Sequence, residues 1–286
     1  MSFILKTFFD PDTATFTYVI SDPQTSAAAI IDSVLNYDQF SGRSTTKSAD
    51  EVIDYIHQNN LKVEWILETH IHADHLTASR FLQEKLGGKT GIGSHIKDVL
   101  DLWVPIFNIQ EDTSLDASQF DHLLEDNQVI KLGDLEIKVL HTPGHTPSCV
   151  SYFIEDAVFV GDLVFMPDVG SGRTDFPGGS AELSYNSSRR ILRLPDETRL
   201  FTGHDYPPQG RDAQSLSTVW EQNQSNILMN DTVSKEAYVK ERNQRDVGKP
   251  VPKLLLPSIQ SNLRLGTFGQ AESNGVQYIK IPVNKI

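Results

Sequence analysis

At 286 residues, with 38% hydrophobic and 22% charged side chains, the chain has the make-up of a globular protein; collagen-like, coiled-coil and disordered classes are excluded. Acidic residues outnumber basic ones by 38 to 25, a formal charge of -13 that repels phosphate backbones and anionic bilayers, so neither nucleic acid nor a membrane is expected as a partner. The single cysteine, Cys149, forbids an intrachain disulfide, no basic-then-apolar leader opens the chain, and no apolar run approaches the ~18 residues that cross a bilayer, so a cytoplasmic protein is expected.

In chain order, Thr15–Ile20 and Ala27–Ile31 read as short strands around the turn Ser21-Asp22-Pro23. The capping box Ser48-Ala49-Asp50-Glu51 predicts a helix start, and Ala49, Val52, Ile53 and Ile56 give that helix one apolar face. The apolar run Val63–Leu67 suits a buried strand. It leads into the loop Thr69–His75 and a helix carrying Ala78, Phe81 and Leu82. Residues 97–127, with Trp103 and Phe107, read as an excursion that either covers a site or packs a helix. Two hairpins follow: Gln128–Lys131 with Leu135–Leu140, and Cys149–Ile154 with Ala157–Val160. Strand–helix units on one side and hairpins on the other predict two facing sheets with helices outside. Beyond Tyr206, Ser215–Leu228 and Ser234–Arg245 read as helices and Val276–Ile281 as a closing strand. The expectation is one domain over 1–286, with 207–286 as a C-terminal extension packed on it.

The chemistry concentrates in histidines. Three fall in His70-Ile71-His72-Ala73-Asp74-His75, straight after an apolar strand, where α/β architectures place ligands. A lone histidine is ordinarily a surface or satisfied core residue; three with an aspartate resist a packing account, because buried imidazoles need partners. His145, Asp162 and His204 also follow strands, with glycine close by in each case. Imidazole and carboxylate donors without thiolate suit Zn, Fe or Mn. Cys149 reads as a small buried packing residue, and His57, His95 and His122 as ordinary surface residues.

In this order and spacing, His70–His75, His145, Asp162 and His204 resemble the metallo-β-lactamase superfamily, from about residue 15 to 210. The resemblance implies a four-layer αββα sandwich, an α/β fold with the metal site at one edge of the sheets. The strings Gly172-Arg173-Thr174-Asp175-Phe176 and Gly203-His204-Asp205-Tyr206 resemble the persulfide dioxygenases, mononuclear non-haem iron enzymes related to glyoxalase II. That likeness implies one Fe(II) per chain on His70, His145 and Asp162. His72, Asp74, His75 and His204 would line the site, Arg173 would hold a glutathione carboxylate and Tyr206 would offer a hydroxyl. It also implies oxidation of a small persulfide by O2, and relatives of this kind are often homodimers. Each assignment has a plainer counterpart: for Arg173 a salt bridge to Asp175, for Tyr206 a hydroxyl bonded to backbone, for Asp74 the orienting of a ligand imidazole.

The competing reading is a zinc thioester hydrolase resembling glyoxalase II. It uses all seven donors: His70, His72 and His145 for one metal, Asp74, His75 and His204 for a second, with Asp162 between. The segment 163–169 is longer than in the persulfide dioxygenases, and 252–266 is closer to bacterial relatives described only as metallo-β-lactamase-like hydrolases. A binding or sensing protein with a structural metal is a third reading, disfavoured because structural zinc sites are usually closed by four ligands.

Overall fold

The computed structural model describes residues 2–208 and 210–286. The chain opens with β1 (Ile4–Asp10), β2 (Thr15–Ser21) and β3 (Ala27–Ile31), an antiparallel meander, and a separate hairpin of β4 (Asn36–Asp38) and β5 (Arg43–Thr45). Next come α1 (Lys47–Gln58), β6 (Lys62–Leu67), α2 (Ser79–Leu86), β7 (Lys89–Gly93), α3 (Ile96–Phe107) and β8 (His122–Leu124). β6, β7 and β8 join β3 in parallel, giving the sheet order β1-β2-β3-β6-β7-β8. The second half supplies β9 (Val129–Leu132), β10 (Leu135–His141), β11 (Val150–Ile154), β12 (Ala157–Phe159), α4 (Ala181–Ile191), β13 (Arg199–Phe201) and β14 (Leu216–Thr218). These strands form a second six-stranded sheet, in the order β14-β13-β12-β11-β10-β9. Three further helices close the chain: α5 (Val219–Ser225), α6 (Lys235–Asp246) and α7 (Leu255–Asn262).

The sheets face each other across a core that includes Tyr18, Ile31, Leu67, Val139, Tyr152 and Phe159. The outer face of the first sheet is covered by α1 and α2 through Val52, Ile56 and Leu82. The outer face of the second is covered by α4 and α6 through Ile191 and Tyr238. The four-layer αββα sandwich is thus the observed fold.

Several local expectations shift. α1 starts before the capping box: Thr46 is the N-cap, and the Ser48 hydroxyl instead donates to Asp10 (3.2 Å) and accepts from Asn36 (2.9 Å). Residues 215–228 form the short strand β14 and then α5, because a Thr218–Glu221 capping box restarts the chain as a helix. Residues 276–281 pair with no strand; β14 and β9 close the second sheet. The excursion is packed, not a cover: Trp103 and Phe107 lie within a core shared by α3 and α7. The segment 252–266 holds α7, and α6 packs on α4, so the chain beyond Tyr206 lies against both helical layers. Among the described residues, no helix is long and apolar enough to cross a membrane.

Candidate metal centre

Five strands direct their carboxyl ends to one rim. β3 runs into Asp32, β6 into residues 68–75, the β10–β11 connection carries His145, β12 runs into Asp162, and β13 into His204. The rim is stitched across the sheets: Thr15 bridges His204, the Phe16 amide donates to Gly203 O (2.9 Å), and the Tyr18 hydroxyl to Thr202 O (2.5 Å). Gly161 has φ +51, and a Cβ there would stand 2.5 Å from Thr69 Oγ1, so glycine is what lets the Asp162 turn meet the histidine loop. That loop is tied from outside by buried Asn262 on α7. Its side chain donates to His72 O (2.8 Å) and His75 O (2.9 Å) and accepts from the Thr77 amide (2.8 Å).

The hydrogen bonds decide which ring nitrogen each histidine presents. His145 Nδ1 donates to Arg173 O (2.7 Å), His204 Nδ1 to Ala14 O (3.2 Å) and His75 Nδ1 to Leu76 O (3.2 Å). The Thr69 hydroxyl gives its proton to Asp32 (2.8 Å), so its oxygen accepts from His70 Nδ1 (2.9 Å). His72 is turned the other way, its Nε2 lying 3.1 Å from both Asp32 and Glu68. Glu68 is itself bound by the Thr77 and Ser79 hydroxyls. The second nitrogens of four of these rings (His70 Nε2, His72 Nδ1, His75 Nε2 and His204 Nε2) and Asp162 Oδ1 are buried and, among the described residues, lack a hydrogen-bond partner. Buried polar atoms are ordinarily satisfied, and five convergent exceptions fit a metal ion better than any packing role.

The donors fall into two groups, each with ligand atoms within 4.8 Å of one another: His70, His145 and Asp162, and His72, Asp74, His75 and His204. The groups abut at Asp162, whose Oδ1 lies 3.4 Å from His204 Nε2; within the groups, Asp162 Oδ2 lies 3.6 Å from His145 Nε2 and Asp74 Oδ2 3.2 Å from His204 Nε2. Burial holds the His70 imidazole well below its usual range and takes His75 down to about 3, so both are neutral and able to ligate. Burial opposes charge on His72 as well, yet the Asp32 and Glu68 carboxylates hold it well above the usual imidazole range. Burial would raise Asp74, but the His204 and His75 rings bring it down to about 2.

The other expected site residues are placed as follows. The Arg173 guanidinium is gripped by Asp175 at 2.6 and 2.7 Å, lies over the Phe176 ring and donates to Pro250 O (2.8 Å). Tyr206 is half exposed, its hydroxyl 3.3 Å from Asp74. Both line a cavity of about 1270 Å³ that also touches His145, Asp162, Phe165 and Phe176. Cys149 is a buried packing residue whose thiol is pushed up to about 12 by burial. Asp32 and Glu68 went unnoticed in the sequence, although Asp32 directly follows an apolar strand, as His204 and its partners do.

The sequence profile of the Metallo-beta-lactamase superfamily matches residues 10–204, the stretch that carries every donor described above. The chain belongs to that superfamily. Glyoxylase B2 of Dictyostelium discoideum is 48% identical over 98% of this chain and 97% of its own length. The mitochondrial persulfide dioxygenase ETHE1 of Bos taurus is 29% identical over 92% of this chain and 89% of its own. The crystal structure of ETHE1 from Myxococcus xanthus superposes with a TM-score of 0.74 at 29% identity, covering 92% of this chain and all of that one. Superfamily relatives named for either activity are thus similar to nearly the whole chain, including the extension beyond the profile.

Proposed function

We propose that this superfamily member is a persulfide dioxygenase with one Fe(II) per chain on His70, His145 and Asp162. The observation that carries the reading is the grouping of these three donors, a two-histidine, one-carboxylate face that leaves coordination positions open. The likeness to ETHE1 over 92% of the chain supports it. The reaction joins a persulfide R–S–SH with O2 and H2O to give R–SH, sulfite and two protons, glutathione being the proposed carrier R. Iron held by these three residues would supply the redox chemistry that the reaction needs.

The chain's own residues do the rest. Phe165 and Phe176 flank His204 and His145 and keep an apolar wall beside the donors. Tyr206 holds its hydroxyl over Asp74 at the cavity side. Arg173, anchored by Asp175 and Pro250 O, lines the cavity and sets a positive charge where the carboxylate of the carrier would lie. A cytoplasmic setting is part of the proposal, supported by the lone buried Cys149.

Iron-reconstituted protein given glutathione persulfide is expected to consume O2 and form sulfite in equal amounts. The second reading, a two-zinc thioester hydrolase, is favoured by the second donor group and by the likeness to glyoxylase B2. Absence of O2 uptake by iron-replete protein, with hydrolysis of S-lactoylglutathione by the zinc form, would replace the first reading with the second.

A further inference from the structure

The 171–175 loop is fastened by chain that lies beyond every metal donor. Arg242 on α6 donates through Nη1 to Ser171 O (3.0 Å). Asp246, one turn on, accepts from the Thr174 amide through Oδ2 (2.9 Å). Arg242 and Asp246 also grip each other, Nε to Oδ2 at 3.0 Å and Nη2 to Oδ1 at 2.5 Å, and both are buried. A buried ion pair costs so much desolvation that it is weak evidence for stability, and two apolar side chains would pack at least as well. What apolar side chains would lack is a donor and an acceptor for the loop backbone.

The bond to Thr174 matters because of what shares its peptide unit. The Thr174 N–H and the Arg173 C=O are two ends of one planar group. Its N–H meets the Asp246 carboxylate; its C=O accepts from His145 Nδ1 at 2.7 Å. A carboxylate at the amide end polarises the peptide and strengthens its carbonyl as an acceptor. Next door, Gly172 presses so close to Asp162 that a Cβ would stand 2.0 Å from the Asp162 carbonyl. One short loop therefore bears on two of the three donors of the first group.

We propose that Asp246, held by Arg242, is a positioning residue for His145: it acts through the single 173–174 peptide unit to fix the ring with its proton on Nδ1 and Nε2 aimed at the metal. The C-terminal extension is then the outer support of the metal centre. This goes beyond the reaction proposed above and holds for iron or zinc chemistry alike, resting only on His145 being a ligand.

The test uses Zn(II) as a redox-inert probe, with affinity measured by chelator competition and the His145 tautomer read by ¹⁵N NMR on metal-free protein. The wild type is expected to show the Nδ1–H tautomer. Asp246→Asn is expected to bind Zn(II) about 10–100-fold more weakly and to show mixed tautomers. Because that variant strands the Arg242 charge, the apolar pair Arg242→Met/Asp246→Leu is made alongside it and is expected to stay folded by circular dichroism with the same loss. Lys235→Gln, on the same helix as Asp246, breaks only an exposed pair with Glu182 of α4 and is expected to match the wild type. Wild-type affinity and tautomer in the folded apolar pair would overturn the proposal, as would an equal loss in Lys235→Gln. A His145→Ala variant that keeps full Zn(II) affinity would overturn the ligand assignment itself, and the proposal with it.

Discussion

At the scale of single residues, the division of labour among seven donors is set by which atom of each is spoken for. Asp162 lies between the groups, one oxygen toward His145 and the other toward His204. Asp162→Ala is therefore expected to abolish metal binding, read as metal per chain by elemental analysis. His75 belongs only to the second group. His75→Ala is expected to retain one metal per chain and O2 uptake; a fall from two metals to one would mark a dinuclear centre instead. The seven candidate donors were conspicuous in the sequence because each follows a strand and carries an imidazole or carboxylate. Asp32 and Glu68 were not, since a lone acid after a strand or beside a histidine motif reads as ordinary surface charge until the fold buries both against His72.

Among elements, what the sequence left out is traceable to side chains with distant partners. Ser48 looked like a cap, but Asp10 and Asn36, on other elements, compete for its hydroxyl and α1 begins earlier. The apolar alternation of 276–281 suggested a strand, yet both sheets are completed without it. α7 shows the reverse: nothing in its sequence announces that Asn262 ties down the backbone of His72 and His75. Replacing Asn262 by the similarly sized Leu strands two carbonyls and an amide in the interior. A loss of about 3 kcal/mol is expected, since each unsatisfied buried group costs on the order of 1–3 kcal/mol. The check is urea unfolding of metal-free protein, with a lower midpoint at unchanged slope.

For the whole molecule, the αββα layering was visible as strand–helix units followed by hairpins, because hydrophobic periodicity is local and survives without knowledge of contacts. The role of the chain beyond residue 206 was not visible, because its anchoring bonds reach loop backbone, which has no sequence signature. A metal that binds the folded chain and not the unfolded one stabilises it by mass action, by about 4 kcal/mol at a thousandfold excess over Kd. Stripping it with a chelator is expected to lower Tm by on the order of 10 °C for a chain of this size, and restoring the metal to reverse the shift.

The stitched rim has a consequence in time. The first sheet contributes His70, His72, Asp74 and His75, but neither of the two sets described above is complete until β12 and β13 have delivered Asp162 and His204 to the same edge. The loop behind His145 gains its last fasteners later still, from α6. A chain emerging from the ribosome thus displays imidazoles long before it can grip an ion firmly. Both donor sets are therefore a property of the closed sandwich and not of the histidine loop alone.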